Sequence, residues 1–228
     1  MLSMVQFVNG DITKYVAHNS GRRSLIEAVE SGSRAGVISA LVRGENIEQT
    51  DDHGHTALVI ALNEGHVELA KLLVEKGANI NYVDHDGYTP LMWATHKGHI
   101  REVQMLLDEG ADPHVQNKDG FNCLMMAAQE GRLEIARMLL NRDAHRTQHH
   151  GPRKHDEPKT DHGDTALSIA QREANHLHQT GEDHQKIADL ILEYQAHHER
   201  YTSEMEAEAA HLDEHGPDTF RISDLRTC

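Results

Sequence analysis

Twenty histidines in 228 residues invite a search for metal chemistry. His149, His150 and His155 share one stretch, His176, His178 and His184 another, and His197 and His198 are adjacent. Zinc takes about four ligands in a tetrahedral array, usually with cysteine or carboxylate among them. No histidine here has the H-E-x-x-H or C-x-x-C spacing that fixes such geometry on one element. These histidines read as structural or solvated, and neither a metal nor a cofactor is expected. Their remaining chemistry is proton uptake, because imidazole titrates at about pH 6.5. Cys123 stands near an expected helix start, where a thiolate can be stabilised. No spacing ties it to a particular histidine. The chain also lacks a G-x-S-x-G elbow, a phosphate loop and a Gly-rich dinucleotide fingerprint. Catalysis needs perturbed acid–base groups or a nucleophile beside its base. No catalytic residue is assigned, and no enzyme is expected.

The chemistry left is recognition. The chain has one Trp, five Tyr and three Phe, and of these Tyr88, Trp93 and Phe121 lie close together with Met126. Trp and Tyr dominate the centres of protein interfaces. The expectation is an aromatic and thioether patch of Tyr88, Trp93, Phe121 and Met126. Around it stand Asp52, His53, His55, Asn63 and Glu64, then His85, Asp86, His96 and Lys97, then Lys118, Asp119, Gln129 and Glu130. The competing expectation is that Trp93 and Met126 pack between layers and the rest are ordinary surface residues.

These positions are set by a repeat. Gly44, Gly77 and Gly110 are 33 residues apart, and Ala28, Ala61, Ala94 and Ala127 keep the same step. Two full copies occupy 51–83 and 84–116. A fixed period of this size means one supersecondary unit stacked on copies of itself, none able to bury its apolar face alone. In the copy at 84–116, Thr89 is placed to cap a helix and Pro90 to begin it. Leu91 and Ala94 follow at helical spacing, and Gly98 ends the helix in a left-handed cap. Ile100, Val103, Leu106 and Leu107 then form the apolar stripe of a second helix. Asp112-Pro113 and Asp86-Gly87 supply turn chemistry between units. The alanines let first helices approach closely, and the Leu pairs 72/73, 106/107 and 139/140 fill the space between second helices.

The strings GHTALVIALNEGHVELAKLLVEKGAN and GYTPLMWATHKGHIREVQMLLDEGAD resemble ankyrin repeats, whose pattern is D-x-x-G-x-T-P-L-H-x-A-A-x-x-G-H with a later L-L-x-x-G-A-D. The resemblance implies an all-α solenoid of helix–turn–helix units with short β-turn or hairpin connections. Units are placed at 18–50, 51–83, 84–116, 117–149 and 160–195, after an N-terminal capping segment at 1–17. It also implies that turn tips and first-helix edges line up into one concave groove that binds another protein. Departures from the pattern are clear. The histidine of T-P-L-H is replaced by Ile26, Val59, Met92, Met125 and Ser168, and Asp143 stands where glycine follows the second helix. An inserted loop is expected at about 149–159. With Arg142, Arg146, Arg153, Lys154 and Lys159, its neighbourhood is basic. A second insertion, near NHLHQTGED, separates the helices of the last unit.

Beyond the repeats, Ile187, Ile191, Tyr194, His198, Tyr201, Met205, Ala209 and Leu212 continue a helical seam. A C-terminal helix extension is expected at 196–215, capping the stack or alternatively pairing with a second chain, and then a tail at 216–228. A monomer is the expected state. At 38% hydrophobic and 4% aromatic the composition is thin for a single central core but adequate for a solenoid. The net charge of −15 disfavours nucleic acid and favours basic or neutral partners. No apolar run is long enough for a membrane span, and the N-terminus does not read as a conventional signal peptide. Cys123 and Cys228 lie far apart, which suits a reducing compartment. The expectation is a cytoplasmic, or alternatively nuclear, protein–protein adaptor. Two further readings stand beside it. The acidic run EMEAEAAHLDEH resembles in composition the C-terminal ends of some exported bacterial effectors, which would place the protein in a host cytosol. The histidines alternatively suit a metal- or pH-responsive binder.

Overall fold

The computed structural model describes residues 24–150, 158–176 and 181–215, without the side chains of 143–150, 201–202 and 205–215. The segment 1–17, the start of the first unit, the core of the basic insertion and the tail at 216–228 lie outside the described residues. The described helices form pairs: α1 (Leu25–Glu30) with α2 (Arg34–Val42), α3 (Ala57–Asn63) with α4 (Val67–Glu75), and α5 (Pro90–Lys97) with α6 (Ile100–Asp108). They continue with α7 (Cys123–Gln129) and α8 (Leu133–His150), then α9 (Ala166–His176) and α10 (Glu182–His215). First helices α1, α3, α5, α7 and α9 stack in chain order, and second helices α4, α6, α8 and α10 stack beside them. The connections are turns, with one isolated antiparallel bridge between Thr50 and Thr56. The repeat solenoid read from the sequence is the observed architecture.

Each first helix begins at a short polar side chain that accepts from the backbone N–H three residues on. Ser24 does this for Glu27 at 3.2 Å, Thr56 for Val59 at 3.4 Å, Thr89 for Met92 at 3.2 Å, Asn122 for Met125 at 2.9 Å and Thr165 for Ser168 at 3.2 Å. Such a cap satisfies an N–H that the helix itself leaves free. Pro90 takes the first helical position of α5, and Gly98 closes that helix at φ +76°. Ala28, Ala61, Ala94, Ala127 and Ala170 are fully buried between layers. The Leu pairs of α4, α6 and α8 are buried as well. Ile100 departs from its expected stripe. It opens α6 with 47% of its surface exposed, beyond the reach of the inner layer.

Second helices α4 and α6 have no side-chain cap, although His66 and His99 occupy the capping positions. Their rings turn instead onto the preceding unit. His99 lies over Gly65, and its Nδ1 is 2.8 Å from the carbonyl oxygen of Leu62. His66 lies over Gly32, the Arg132 guanidinium over Gly98, and the His184 ring over Gly131. Gly65 sits at φ +72°, and a Cβ there would lie 3.3 Å from His99 Cε1. Glycine is therefore favoured by the left-handed backbone, and the ring above it leaves little room for a Cβ. Arg132 Nη2 donates to His96 O at 3.1 Å, and His184 Nε2 lies 3.1 Å from Gln129 O. The first cap is thus traded for a clasp that joins each unit to the one before.

Helix α8 is 18 residues long, against 9 for α4 and for α6. Gly77 and Gly110 follow α4 and α6 at φ +90° and +91°, whereas Asp143 stands at that step inside α8. A left-handed conformation costs an L-residue about 1–2 kcal/mol. The chain stays helical through His150, and residues 151–157 of the expected insertion lie outside the described residues. In α10, His184, Ile187, Ala188 and Ile191 are buried, and Tyr194 and His198 are half-buried. This first part of the seam, which belongs to the last unit, packs against α7, α8 and α9.

Candidate recognition face

The turn before each first helix is built by its opening residue. Asp51 Oδ1 accepts from the N–H groups of His53 and His55 at 2.9 and 2.8 Å. Asp84 Oδ1 accepts from Asp86 and Tyr88 at 3.0 and 2.8 Å, and Asn117 Oδ1 from Asp119 and Phe121 at 3.1 and 2.8 Å. In the last unit Thr160 Oγ1 accepts from Asp164 at 3.1 Å. A short polar side chain that satisfies two donors of its own turn fixes that turn's shape. Successive tips are also joined. Lys118 N–H donates to Asp86 O at 3.2 Å, Asp161 N–H donates to Asp119 O at 3.3 Å, and the His85 ring lies over Gly54. As a result Asp52, His53, His85, Asp86, Lys118 and Asp119 are presented outward on a rigid row.

Trp93 departs from its neighbours in the repeat. Its equivalents 33 residues away, Ile60 and Met126, are 8% and 5% exposed inside the layer. An indole is too large for that slot, and Trp93 remains half-buried at the surface. Its Nε1–H donates to Asp84 Oδ2 at 2.8 Å. The Tyr88 ring is 5.3 Å away and tilted by 36°, while His55 and His96 meet the indole edge-on at 5.2 and 6.4 Å. Each imidazole has a carboxylate. His55 Nδ1 is 3.1 Å from Asp51 Oδ2, and His96 Nδ1 is 3.2 Å from Glu130 Oε1 in the next unit. Burial resists ionisation of Asp51, but the N–H groups of His55 and His53 and the His55 imidazole outweigh it and lower its pKa. Burial pushes the Tyr88 phenol above its ordinary value.

A family model described as ankyrin repeats (3 copies) matches residues 25–117 and 96–202. The chain belongs to the ankyrin-repeat family. Ankyrin repeats generally mediate protein–protein interaction and are typically not enzymes. No curated protein sequence matches the chain.

Within this ankyrin stack the expected aromatic patch is rearranged. Met126 is buried and does not join it, because thioether and neighbouring layer fit the slot that the indole of Trp93 overfills. Phe121 is half-buried against the core at the step equivalent to Tyr88. Tyr88 and Trp93 are instead accompanied by His53, His55 and His96. Glu64, Lys97 and Gln129 are exposed at the first-helix edge, and Asn63 Nδ2 donates to Glu64 Oε1 at 3.2 Å. Sequence reasoning passed over Asp51, Asp84 and Asn117. Their signal was a short polar residue opening each unit.

Cys123 is fully buried, and burial pushes its thiol up to about 12, so the thiolate considered from its place at a helix start does not form. The grouping of His176, His178 and His184 on one loop also fails, since His184 is clasped over Gly131 within α10. Among the described residues no group of three or more His, Cys, Asp or Glu is placed to hold a metal. His155 and His178 lie outside the described residues. No helix among the described residues is long and apolar enough to cross a membrane. An open cavity of about 790 Å³ lies on the second-helix side, away from Trp93, with Val67, Ile100, Met138, Lys71 and Arg101 in its lining.

Proposed function

We propose that this ankyrin stack is a protein-binding adaptor. It engages its partner through the turn tips and first-helix edges of the units at 51–83, 84–116 and 117–149. The observation that carries this reading is the placement of Trp93. A large aromatic side chain stands at the surface, locked by Asp84, at a step of the repeat where the neighbouring units bury their residue. Half-exposed Trp and Tyr on a rigid support are the composition of an interface hot spot. Rigidity also reduces the ordering cost of association, so more of the contact energy becomes affinity.

The test is affinity capture with wild type beside the Tyr88→Ala/Trp93→Ala double variant. The double variant should lose the captured protein while keeping its helical circular dichroism. Capture that is unchanged would remove the basis for this reading.

A further inference from the structure

We propose that the segment docking on this face is basic, and that it lays an arginine or lysine side chain against the Trp93–Tyr88 pair. This rests on the face being the binding surface. Charge complementarity then selects the kind of partner. Each of the four described tips carries an exposed carboxylate, at Asp52, Asp86, Asp119 and Asp161. Lys97 and Lys118 are the exposed cations at the corresponding positions of the central units. In the last unit Arg172 is already held by Asp164 at 3.0 Å and Glu173 at 3.3 Å.

The aromatic pair lies within this anionic row. A cation over an indole face is attracted by the ring's negative quadrupole, and Trp is the best of the aromatic partners. The Asp84 carboxylate accepting from Nε1–H sits at the ring's edge and adds negative potential there. The imidazoles of His55 and His96 beside Trp93 each face a carboxylate of their own, Asp51 or Glu130. An incoming guanidinium therefore meets an aromatic face with acids on both flanks. Acidic and neutral segments meet either repulsion or no charge gain.

Trp93 is the single tryptophan of the chain, so its emission reports on this site alone. The experiment titrates the full chain with a fluorescein-labelled peptide of Arg-Gly-Ser repeats and with its Glu-Gly-Ser counterpart, reading anisotropy and Trp93 emission. The arginine peptide should bind saturably and change the emission, and the glutamate peptide should do neither. Asp86→Asn/Asp119→Asn should weaken the arginine peptide about tenfold, as expected for two surface ion pairs. The pair Glu75→Gln/Glu109→Gln, exposed on the second-helix side, should leave it unchanged. Equal effects of the two variant pairs would overturn the proposal, as would binding without a Trp93 response. Silence towards both peptides would also overturn it. A glutamate peptide that binds with a Trp93 response would refute the basic partner yet leave the face as the binding surface. Only unchanged capture by the Tyr88/Trp93 double variant would remove that surface itself.

Discussion

Trp93 and Asp84 form one unit: the indole Nε1–H donates to Oδ2 at 2.8 Å while Oδ1 of the same carboxylate closes the turn at Asp86 and Tyr88. One side chain therefore shapes the tip and orients the aromatic beside it. Asp84→Asn keeps an oxygen for the turn but turns an amide N–H₂ towards the indole donor. The variant should lose about 1–2 kcal/mol of stability, the cost of an unmade bond to a charged acceptor. Trp93 emission should shift as well. Urea unfolding followed by that emission measures both.

The same substitution at Asp51 should behave differently. Asn117 already fills this step in the fourth unit with intact turn bonds, so Asp51→Asn should change stability at pH 7 by less than about 0.5 kcal/mol. The pKa of Asp51 is lowered in the folded chain. Its contribution is present above the ordinary carboxyl value of about 4 and is lost as pH falls through the folded value. At about pH 3 the Asn variant, which has no proton to take up, should be more stable than wild type. Urea denaturation at the two pH values gives the comparison. A wild type that stays the more stable at low pH would contradict it.

Two glycines with nearly the same backbone should differ in their tolerance of alanine. Gly77 (φ +90°) and Gly87 (φ +87°) both carry the left-handed strain. A Cβ at Gly77 meets nothing within 4 Å, whereas at Gly87 it would lie 2.8 Å from the backbone nitrogen of Lys118 and 2.9 Å from Asn117 Cα. Gly77→Ala should cost about 1–2 kcal/mol. Gly87→Ala should cost clearly more, because it forces apart the tips of two units. Equal midpoints in thermal or chemical unfolding would show that the tips are not packed as described.

Restoring glycine at 143 tests why α8 runs on. Asp143→Gly should end the helix near Arg142, as Gly77 and Gly110 end their helices. Cα chemical shifts of residues 143–150 should then move from helical towards coil values. Persistence of helical shifts would mean that contacts with α10, and not the missing stop residue, hold the extension in place.

The sequence by itself determined the repeat, the helix starts and the helix stops. Thr89, Pro90 and Gly98 act on backbone groups within a few residues, so their effect is readable wherever the string occurs. The outward set was readable in the same way, from position within the unit. Periodicity could not separate Trp93 from Met126, because both occupy one step of the repeat. Only the tertiary structure decided that the indole overfills the slot and is caught by Asp84 while the thioether is buried. It also decided the use of the histidines. His99 meets Leu62 across 37 residues and His184 meets Gln129 across 55, so neither partner is visible in local spacing. Local chemistry fixes each unit, and the sizes and hydrogen-bonding groups of side chains on neighbouring units fix what the assembled face presents.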